Sequence, residues 1–359
     1  MPHSIRKVEA RPIDRRRVLE LLGLGGTAIL AGCATPDSAD GFAGGSGGGG
    51  SAEGLSELAP VSTNEEFYVL WYRGAPAEVD GGAWTCPVLD GDTVVGTINL
   101  ALLGQMTAED REHTLQCVES RPGFIAMNNA IWQGAPLRAV LEAAGVTPPT
   151  DRAWVVFSCA DEYGVSLPLS DLDGGPLFLA WGMNGETLPL KHGFPARILT
   201  PGRYGWLNPK QITAIQFTDE AYEPPWMDQV LAGYEAQGVD FDMGGSMAYQ
   251  PQSLLVQPAA MDVVGDRVRI LGKAFAGDDP IRSVEVSTNG GQSWEEAELT
   301  YAPGRDVWAL WRLNWSPPGP GTYVLMTRAT TESGRSCTPD LDPSHVPWPG
   351  GMAIEVVVS

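Results

Sequence analysis

The sequence predicts two folded domains, an α+β domain over residues 61–250 and an all-β domain over residues 251–359. Three observations predict this. Up to Gln250, short apolar runs bounded by Gly, Asn and Asp are interrupted by one run of helical periodicity. From Pro251 on, apolar and polar residues alternate at period two. A chain of 359 residues, 43% of them hydrophobic, is long enough to bury two cores beside terminal tails.

Residues 1–33 are an address rather than structure. Asp14-Arg15-Arg16-Arg17-Val18-Leu19 resembles a twin-arginine export signal, with Val18 where an aromatic residue is commoner. The apolar LELLGLGGTAILAG that follows is shorter than the ~20 residues needed to span a bilayer. It ends in Leu30-Ala31-Gly32-Cys33, which resembles a bacterial lipobox. That resemblance implies lipidation of Cys33 and anchoring on the periplasmic or outer-surface side of the cell membrane. The plainer alternative is a signal peptide with an incidental cysteine. Residues 34–60 are rich in Gly and Ser, cannot bury a core, and are predicted to form a flexible linker. Its r.m.s. reach is roughly 25–30 Å by square-root scaling.

Within the first domain, Phe67 to Tyr72 is predicted to be a strand or an apolar lining segment. Thr107-Ala108-Glu109-Asp110 matches a helix start, with Thr at the N-cap and an acid at the third helical position. Pro136, Leu137, Val140, Leu141 and Ala144 recur at helical spacing, and Gly145 stops the run. WVVFSCAD (Trp154 to Asp161), VSLPLSDL and PLFLAWGMNG are predicted strands with turn residues between them. In the second domain RVRILGKAF, SVEVSTNGGQSW, WALWRLNW, GTYVLMTRA and the closing AIEVVVS alternate, with a turn at Asn289-Gly290-Gly291. That density of short strands predicts an immunoglobulin-like sandwich. Trp294, Trp308, Trp311 and Trp315 are predicted to be core and interface aromatics rather than a ligand platform.

The formal net charge is −21, and the first 20 residues carry six Lys/Arg against three acids, so the body is more acidic still. Such a surface excludes nucleic acid and anionic lipid as partners and attracts a basic protein. The alternative is that the charge only keeps the protein soluble. The five cysteines, Cys33, Cys86, Cys117, Cys159 and Cys337, form no CxxC or CxxCH, so neither zinc-finger spacing nor c-type haem attachment is present. Their pairing cannot be read from the sequence.

One stretch organises the rest. In HTLQCVESRPG, His113 to Gly123, an alternating run stops at Cys117 and a turn begins. A thiolate on a rigid strand end suits soft-metal or nucleophile chemistry. Arg111 and Arg121 would favour the thiolate if both point toward it.

Several further segments, in order, resemble the sulfite oxidase family of molybdenum enzymes. Thr114-Leu115-Gln116-Cys117 is similar to that family's strand ending in the metal-binding cysteine. Trp132-Gln133-Gly134-Ala135-Pro136-Leu137 resembles its W-x-G-x-x-L. Asp161 with Tyr163 to Leu169, Trp181 to Pro189, His192-Gly193-Phe194-Pro195-Ala196-Arg197, and Pro201 to Gly205 followed by Lys210 continue the match. The later VEVSTNGGQSW and the tryptophans resemble the family's dimerisation domain, which would allow a homodimer. The resemblance implies an α+β, mixed α/β molybdopterin-binding domain, a molybdenum-molybdopterin cofactor, and Cys117 as catalytic metal ligand. It implies that Arg197 and Lys210 neutralise the cofactor phosphate, that His192 donates to the cofactor, and that Asp161 accepts from pterin N–H groups. Asn208 and Tyr72 join this cofactor-binding set. Charge-assisted bonds to phosphate are strong, and Arg can make them bidentate. With no haem or iron–sulfur spacing present, an external electron-transfer protein is implied, a cytochrome or a quinone-linked protein. The twin-arginine route carries folded proteins, as a cofactor inserted before export requires.

The chain departs from the family at the substrate side. Sulfite-oxidising members continue the early strand as Phe-x-Val-Arg-Asn-His, whose Arg faces the substrate anion; Leu70, Trp71 and Tyr72 stand there, with Arg73 one residue off. Glu119-Ser120-Arg121 replaces the usual Gly-Asn-Arg after the cysteine, and Tyr222 and Tyr234 both compete for the family's catalytic Tyr. The expected substrate is therefore a small-molecule oxo donor or acceptor, a sulfoxide or N-oxide rather than sulfite. The alternatives are a sulfite dehydrogenase passing electrons to a cytochrome c, a hydrolase using Cys117 with His113, and a non-enzymatic binding lipoprotein whose first domain is a relic. In a strand, i and i+4 lie about 13 Å apart, which disfavours the hydrolase.

Overall fold

A computed structural model describes residues 57–72, 79–172, 177–222, 249–339, 348 and 350–359. The export signal, Cys33, the linker through residue 56, Arg73 and Tyr234 lie outside the described residues. No helix among the described residues is long and apolar enough to cross a membrane.

Two sheets build the first part. One has the spatial order Thr93–Asn99, Thr85–Asp90, Ile212–Thr218, Trp154–Cys159, Gly164–Pro168. Its Thr85–Asp90 and Ile212–Thr218 strands run parallel, and its other pairs are antiparallel. The predicted helix forms over Leu137–Ala143 and buries Leu137, Val140 and Leu141 in the core that also holds Val88, Phe157 and Ile215. Gly145 ends the run at φ +76°, a left-handed conformation that a side chain would strain.

The second sheet is ordered Glu109–Gln116, Met127–Pro136, Phe178–Met183, Glu186–Thr187, and Arg197–Leu199 also pairs with Phe178–Met183. The helix start expected at Thr107 to Asp110 does not form; Glu109 and Asp110 open the strand Glu109–Gln116. Each residue of that strand has a Cα partner in Met127–Pro136, and this pairing overrides a local capping signal worth about 1 kcal/mol. A helical turn unmarked by the periodicity, Leu100–Leu103, is capped instead by Asn99, whose side chain accepts from Leu102 N at 2.8 Å. The segment Phe67 to Tyr72 pairs in no sheet, so the strand alternative does not form; Phe67 is buried, and Leu70 and Tyr72 pack against apolar clusters. Tyr68 N donates to Asn128 Oδ1 at 3.1 Å, fixing the segment to the second sheet.

After Pro251 all described regular structure is strand. One sheet is ordered Gln252–Gln257, Val268–Phe275, Ala309–Trp315, Glu298–Tyr301; the other Val263–Val264, Ala353–Val358, Gly321–Thr331, Ile281–Ser287, Glu295–Glu296. Ile270, Val284, Trp311, Leu325 and Val356 share the core of these sheets. The tryptophans behave as expected of packing residues: Trp308 and Trp311 are buried, Trp315 meets Tyr323 edge-on, and Trp294 lies under the Arg328 guanidinium. A third apolar cluster joins the two parts and contains Cys117, Val118, Met127, Tyr204, Tyr249, Phe275, Trp308 and Trp348.

Candidate cofactor site

Cys117 follows the last residue of an edge strand, at the junction of the first part and the C-terminal sheets. Its backbone N–H donates to Ala126 O at 2.9 Å, and its carbonyl accepts from Ser120 N at 3.0 Å, closing a turn. Glu119 N donates to Cys117 Sγ at 3.4 Å, which favours sulfur as a thiolate. The Arg111 guanidinium lies over the Phe178 ring at 4.2 Å and pairs with Glu109 at 3.2 Å. One terminal guanidinium nitrogen of Arg121 is buried with no hydrogen-bond partner among the described residues.

Two cations stand close together, Arg197 buried and Lys210 partly buried. Arg197 is 4% exposed, donates to the carbonyls of His192 (3.0 Å) and Asn208 (3.1 Å), and stacks over Trp132 at 4.8 Å. Its Nε is buried with no partner among the described residues. Lys210 donates to Leu70 O at 2.7 Å and Lys191 O at 3.5 Å and sits 3.5 Å from the Trp71 ring centre. Among the described residues neither forms an ion pair with a carboxylate. Burial pushes Arg197 down to about 10, and burial, with Arg197 beside it, holds Lys210 well below the ordinary lysine value. Gly193 makes this crowding feasible. It has φ +119°, and a Cβ there would lie 3.1 Å from Arg197 Cβ and 3.2 Å from Lys210 Cβ.

His192 is buried, meets Phe67 edge-on at 5.4 Å, and places Nε2 2.6 Å from Asn64 O. A carbonyl only accepts, so Nε2 carries the proton; burial depresses the imidazole to about 4, and Nδ1 is left as a lone-pair acceptor, so His192 is placed to accept from a cofactor rather than to donate as the resemblance implied. Asn208 is committed to its own loop: Oδ1 accepts from Thr200 N at 2.7 Å, and Nδ2 donates to Arg203 O (3.2 Å) and Tyr204 O (2.9 Å). Its contribution to the cations is the backbone carbonyl that Arg197 uses. Asp161 accepts from Tyr163 N at 3.1 Å and is the carboxylate acting on Lys210. Tyr72 packs on Tyr163 at 5.9 Å, and Tyr163 OH donates to Trp206 O at 2.5 Å. Tyr222 stands over Gly164, beside Tyr72 and 36% exposed.

The structure gathers residues that the motifs did not flag. Tyr68 is deprotonated only with difficulty, because of burial and then the Cys117 charge; a Cβ on Gly205 would lie 2.5 Å from its hydroxyl. Tyr204 and Tyr249 pack at 4.6 Å in the cluster that holds Cys117. Only the aromatic run at Phe67 hinted at Tyr68, and nothing local marks Tyr249. The Cys117–His113 pair is not formed. His113 is wholly buried, both ring nitrogens lack partners among the described residues, and burial with Arg111 and Arg197 nearby pushes it down to about 3. It can neither approach Cys117 as a base nor hold charge.

These observations fit a pyranopterin cofactor. Burying a charge unpaired is strongly unfavourable, so Arg197 and Lys210 together call for an anion such as a phosphate. Among the described residues, buried polar atoms on Gln116, Ser120, Arg197 and Gln211 have no partner, which leaves hydrogen-bonding capacity for a polar ligand. Among the described residues no group of three or more His, Cys, Asp or Glu could hold a bare metal ion, so a metal at Cys117 needs further donors from a cofactor. The pyranopterin would supply dithiolene sulfurs for that purpose.

Comparison with known proteins agrees. The "Oxidoreductase molybdopterin binding domain" family matches residues 74–226. The chain is 30% identical over 265 residues to the mitochondrial sulfite oxidase of Macaca fascicularis, covering 68% of this chain and 48% of that one. It is 33% identical over 286 residues to that of Drosophila melanogaster, covering 69% and 49%. The protein-methionine-sulfoxide reductase catalytic subunit MsrP of Xanthomonas campestris is 28% identical over 250 residues, covering 60% and 73%. The chain thus spans about half the length of the mitochondrial relatives it matches. The sulfane dehydrogenase SoxCD of Paracoccus pantotrophus has the same fold, with a TM-score of 0.69 at 20% identity over 82% of this chain and 81% of that one. The molybdopterin-domain match and these relatives make the protein a molybdenum-cofactor oxidoreductase. The domain match and these relatives support the sulfite oxidase family of molybdopterin-dependent oxidoreductases.

Proposed function

We propose that this protein is an exported enzyme that reduces a neutral oxo donor, an organic sulfoxide or N-oxide, at a Cys117-ligated molybdenum centre. The cofactor, when bound, supplies two-electron oxo transfer. Cys117 holds the metal, Arg197 and Lys210 hold the phosphate, and Asp161 and His192 offer acceptors to the pterin. The observation that carries the substrate class is Leu70, which packs against the apolar cluster containing Cys117. An oxyanion dianion at that wall would need a fixed cation. Arg203 is engaged with Asp171 at 3.3 Å and is not free for that role. The similarity to a methionine-sulfoxide reductase supports the same direction. Sulfite oxidation is the second reading, favoured by the unpartnered buried nitrogen of Arg121 and by the sulfite oxidase relatives. The molybdopterin-domain match argues against a relic first domain.

Steady-state kinetics separate the two readings. Sulfoxides and N-oxides with a reduced dye should turn over, and sulfite with an artificial acceptor should not. A sulfite kcat/KM inside the usual range of about 10⁴–10⁸ M⁻¹ s⁻¹ would overturn the proposal. Leu70→Arg should raise sulfite kcat/KM about 10- to 100-fold, the worth of one charge-assisted contact of about 1.5–3 kcal/mol. No gain would show that Leu70 does not face the substrate.

The remaining assignments rest on sequence. Residues 61–250 form the catalytic domain, and residues 251–359 an immunoglobulin-like domain suited to homodimerisation. An external cytochrome or quinone-linked protein exchanges electrons, and the net charge of −21 suits a basic one. Export follows Arg15 and Arg16, and anchoring follows lipidation of Cys33. Lys at both Arg15 and Arg16 should leave the protein in the cytoplasm, and Cys33→Ala should move exported protein from the membrane to the soluble fraction. Unchanged fractionation of either variant would reject the corresponding assignment.

A further inference from the structure

The strand ending before Cys117 is an edge strand, bonded on one side only by Met127–Pro136. An edge left open exposes unpaired donors and frays. Here the C-terminal part closes it. Thr114 N donates to Asp306 O at 2.8 Å, and Trp308 N donates to Thr114 Oγ1 at 2.9 Å. Gln116 N donates more weakly to the Tyr249 hydroxyl, at 3.4 Å.

Asp306 does more than close an edge. It adopts φ +60°, a left-handed conformation that Asp and Asn tolerate better than most residues. Its N–H donates to Gly277 O at 2.8 Å, and its Oδ1 accepts from Gly202 N at 3.0 Å. Gly202 begins the loop that carries Tyr204, whose hydroxyl accepts from Gln250 N at 3.1 Å. The same loop carries Gly205, where a Cβ would lie 3.3 Å from Gln116 O. One residue of the 302–308 connection therefore grips both the Cys117 strand and the loop that walls it. We propose that Asp306 is a positioning residue for Cys117, so that the C-terminal sheets are a working part of the metal site. The inference rests on the assignment of Cys117 as metal ligand.

Two substitutions in the full chain isolate the side chain. Asp306→Gly accepts the positive φ without strain, keeps the backbone bonds and removes the Oδ1 acceptor with the rest of the side chain. Asp306→Asn keeps that acceptor. Both variants should keep wild-type molybdenum content; the Asn variant should keep the melting temperature, and the Gly variant should melt only slightly lower, for the one hydrogen bond it loses. The Gly variant should show a shifted thiolate-to-molybdenum charge-transfer absorption and a kcat about 10- to 100-fold lower at little-changed KM, as for other residues that orient a metal ligand. In cofactor-free protein, mass spectrometry should find Cys117 alkylated faster in the Gly variant. The Asn variant should match wild type in all three. A Gly variant with unchanged absorption, kcat and alkylation would overturn the proposal, as would an Asn variant as impaired as the Gly. Wild-type protein that binds no molybdenum would refute the underlying assignment instead; the alkylation comparison reads the clasp independently of it.

Discussion

Cys117→Ser is expected to keep the fold and lose turnover by more than about 100-fold, beyond the 10- to 100-fold typical of residues that only support a ligand. Serine has nearly the same shape, and its hydroxyl can still accept from Glu119 N, which now donates to Sγ at 3.4 Å. The stability change should stay near the roughly 0.5–1.5 kcal/mol of one hydrogen bond. What is lost is soft-donor character: a hydroxyl is a poor ligand for a metal that prefers thiolate. Turnover with the reduced-dye assay, molybdenum content and the thermal transition check this together. Full turnover by the Ser variant would remove Cys117 from the site. Cys86, Cys159 and Cys337 are buried thiols outside the apolar cluster that holds Cys117. Burial pushes the Cys86 thiol up to about 12 and Cys337 to about 11, and Cys159 beyond that range.

The parts of the fold legible in the sequence are those encoded locally. Leu137, Val140 and Leu141 repeat at helical spacing before a left-handed Gly145, and the helix forms there. The alternation after Pro251 appears as paired strands. His192 to Arg197 and Lys210 lie near each other in sequence, and Gly193 brings the two cations together. Local signals also misled. Thr107 has the chemistry of a helix cap, but Glu109–Gln116 has a full-length strand partner. What stayed hidden rests on long-range contact: the bond from Gln116 to Tyr249 spans 133 residues, and that from Trp308 to Thr114 spans 194. No periodicity encodes such meetings, because each residue's local pattern is satisfied without its partner.

Replacing Arg197 and Lys210 together by Ala is expected to empty the site while leaving the cofactor-free protein as stable as before or more so. Each charge-assisted contact to a phosphate is worth about 1.5–3 kcal/mol, so the pair contributes roughly 3–6 kcal/mol, or about two to four decades in cofactor retention. Without the anion the same side chains are a liability, since each is a desolvated cation held by carbonyls and an aromatic face, with no carboxylate ion pair among the described residues. The pH dependence gives an independent reading. Lys210 is depressed by burial and then by Arg197, so cofactor-free protein binds fewer protons than the unfolded chain between that depressed value and about 10.4. Its stability should therefore rise with pH through that window. A bound phosphate returns Lys210 to its charged form, and the rise should flatten in loaded protein. Lys273, pushed down to about 8 by burial, adds the same slope to every form and cancels in the difference. Melting temperatures of loaded, cofactor-free and doubly substituted protein from pH 7 upward test this. The double variant should lack the extra slope of the cofactor-free wild type. Wild-type molybdenum content in that variant, or identical pH slopes in all three, would show that the phosphate is held elsewhere.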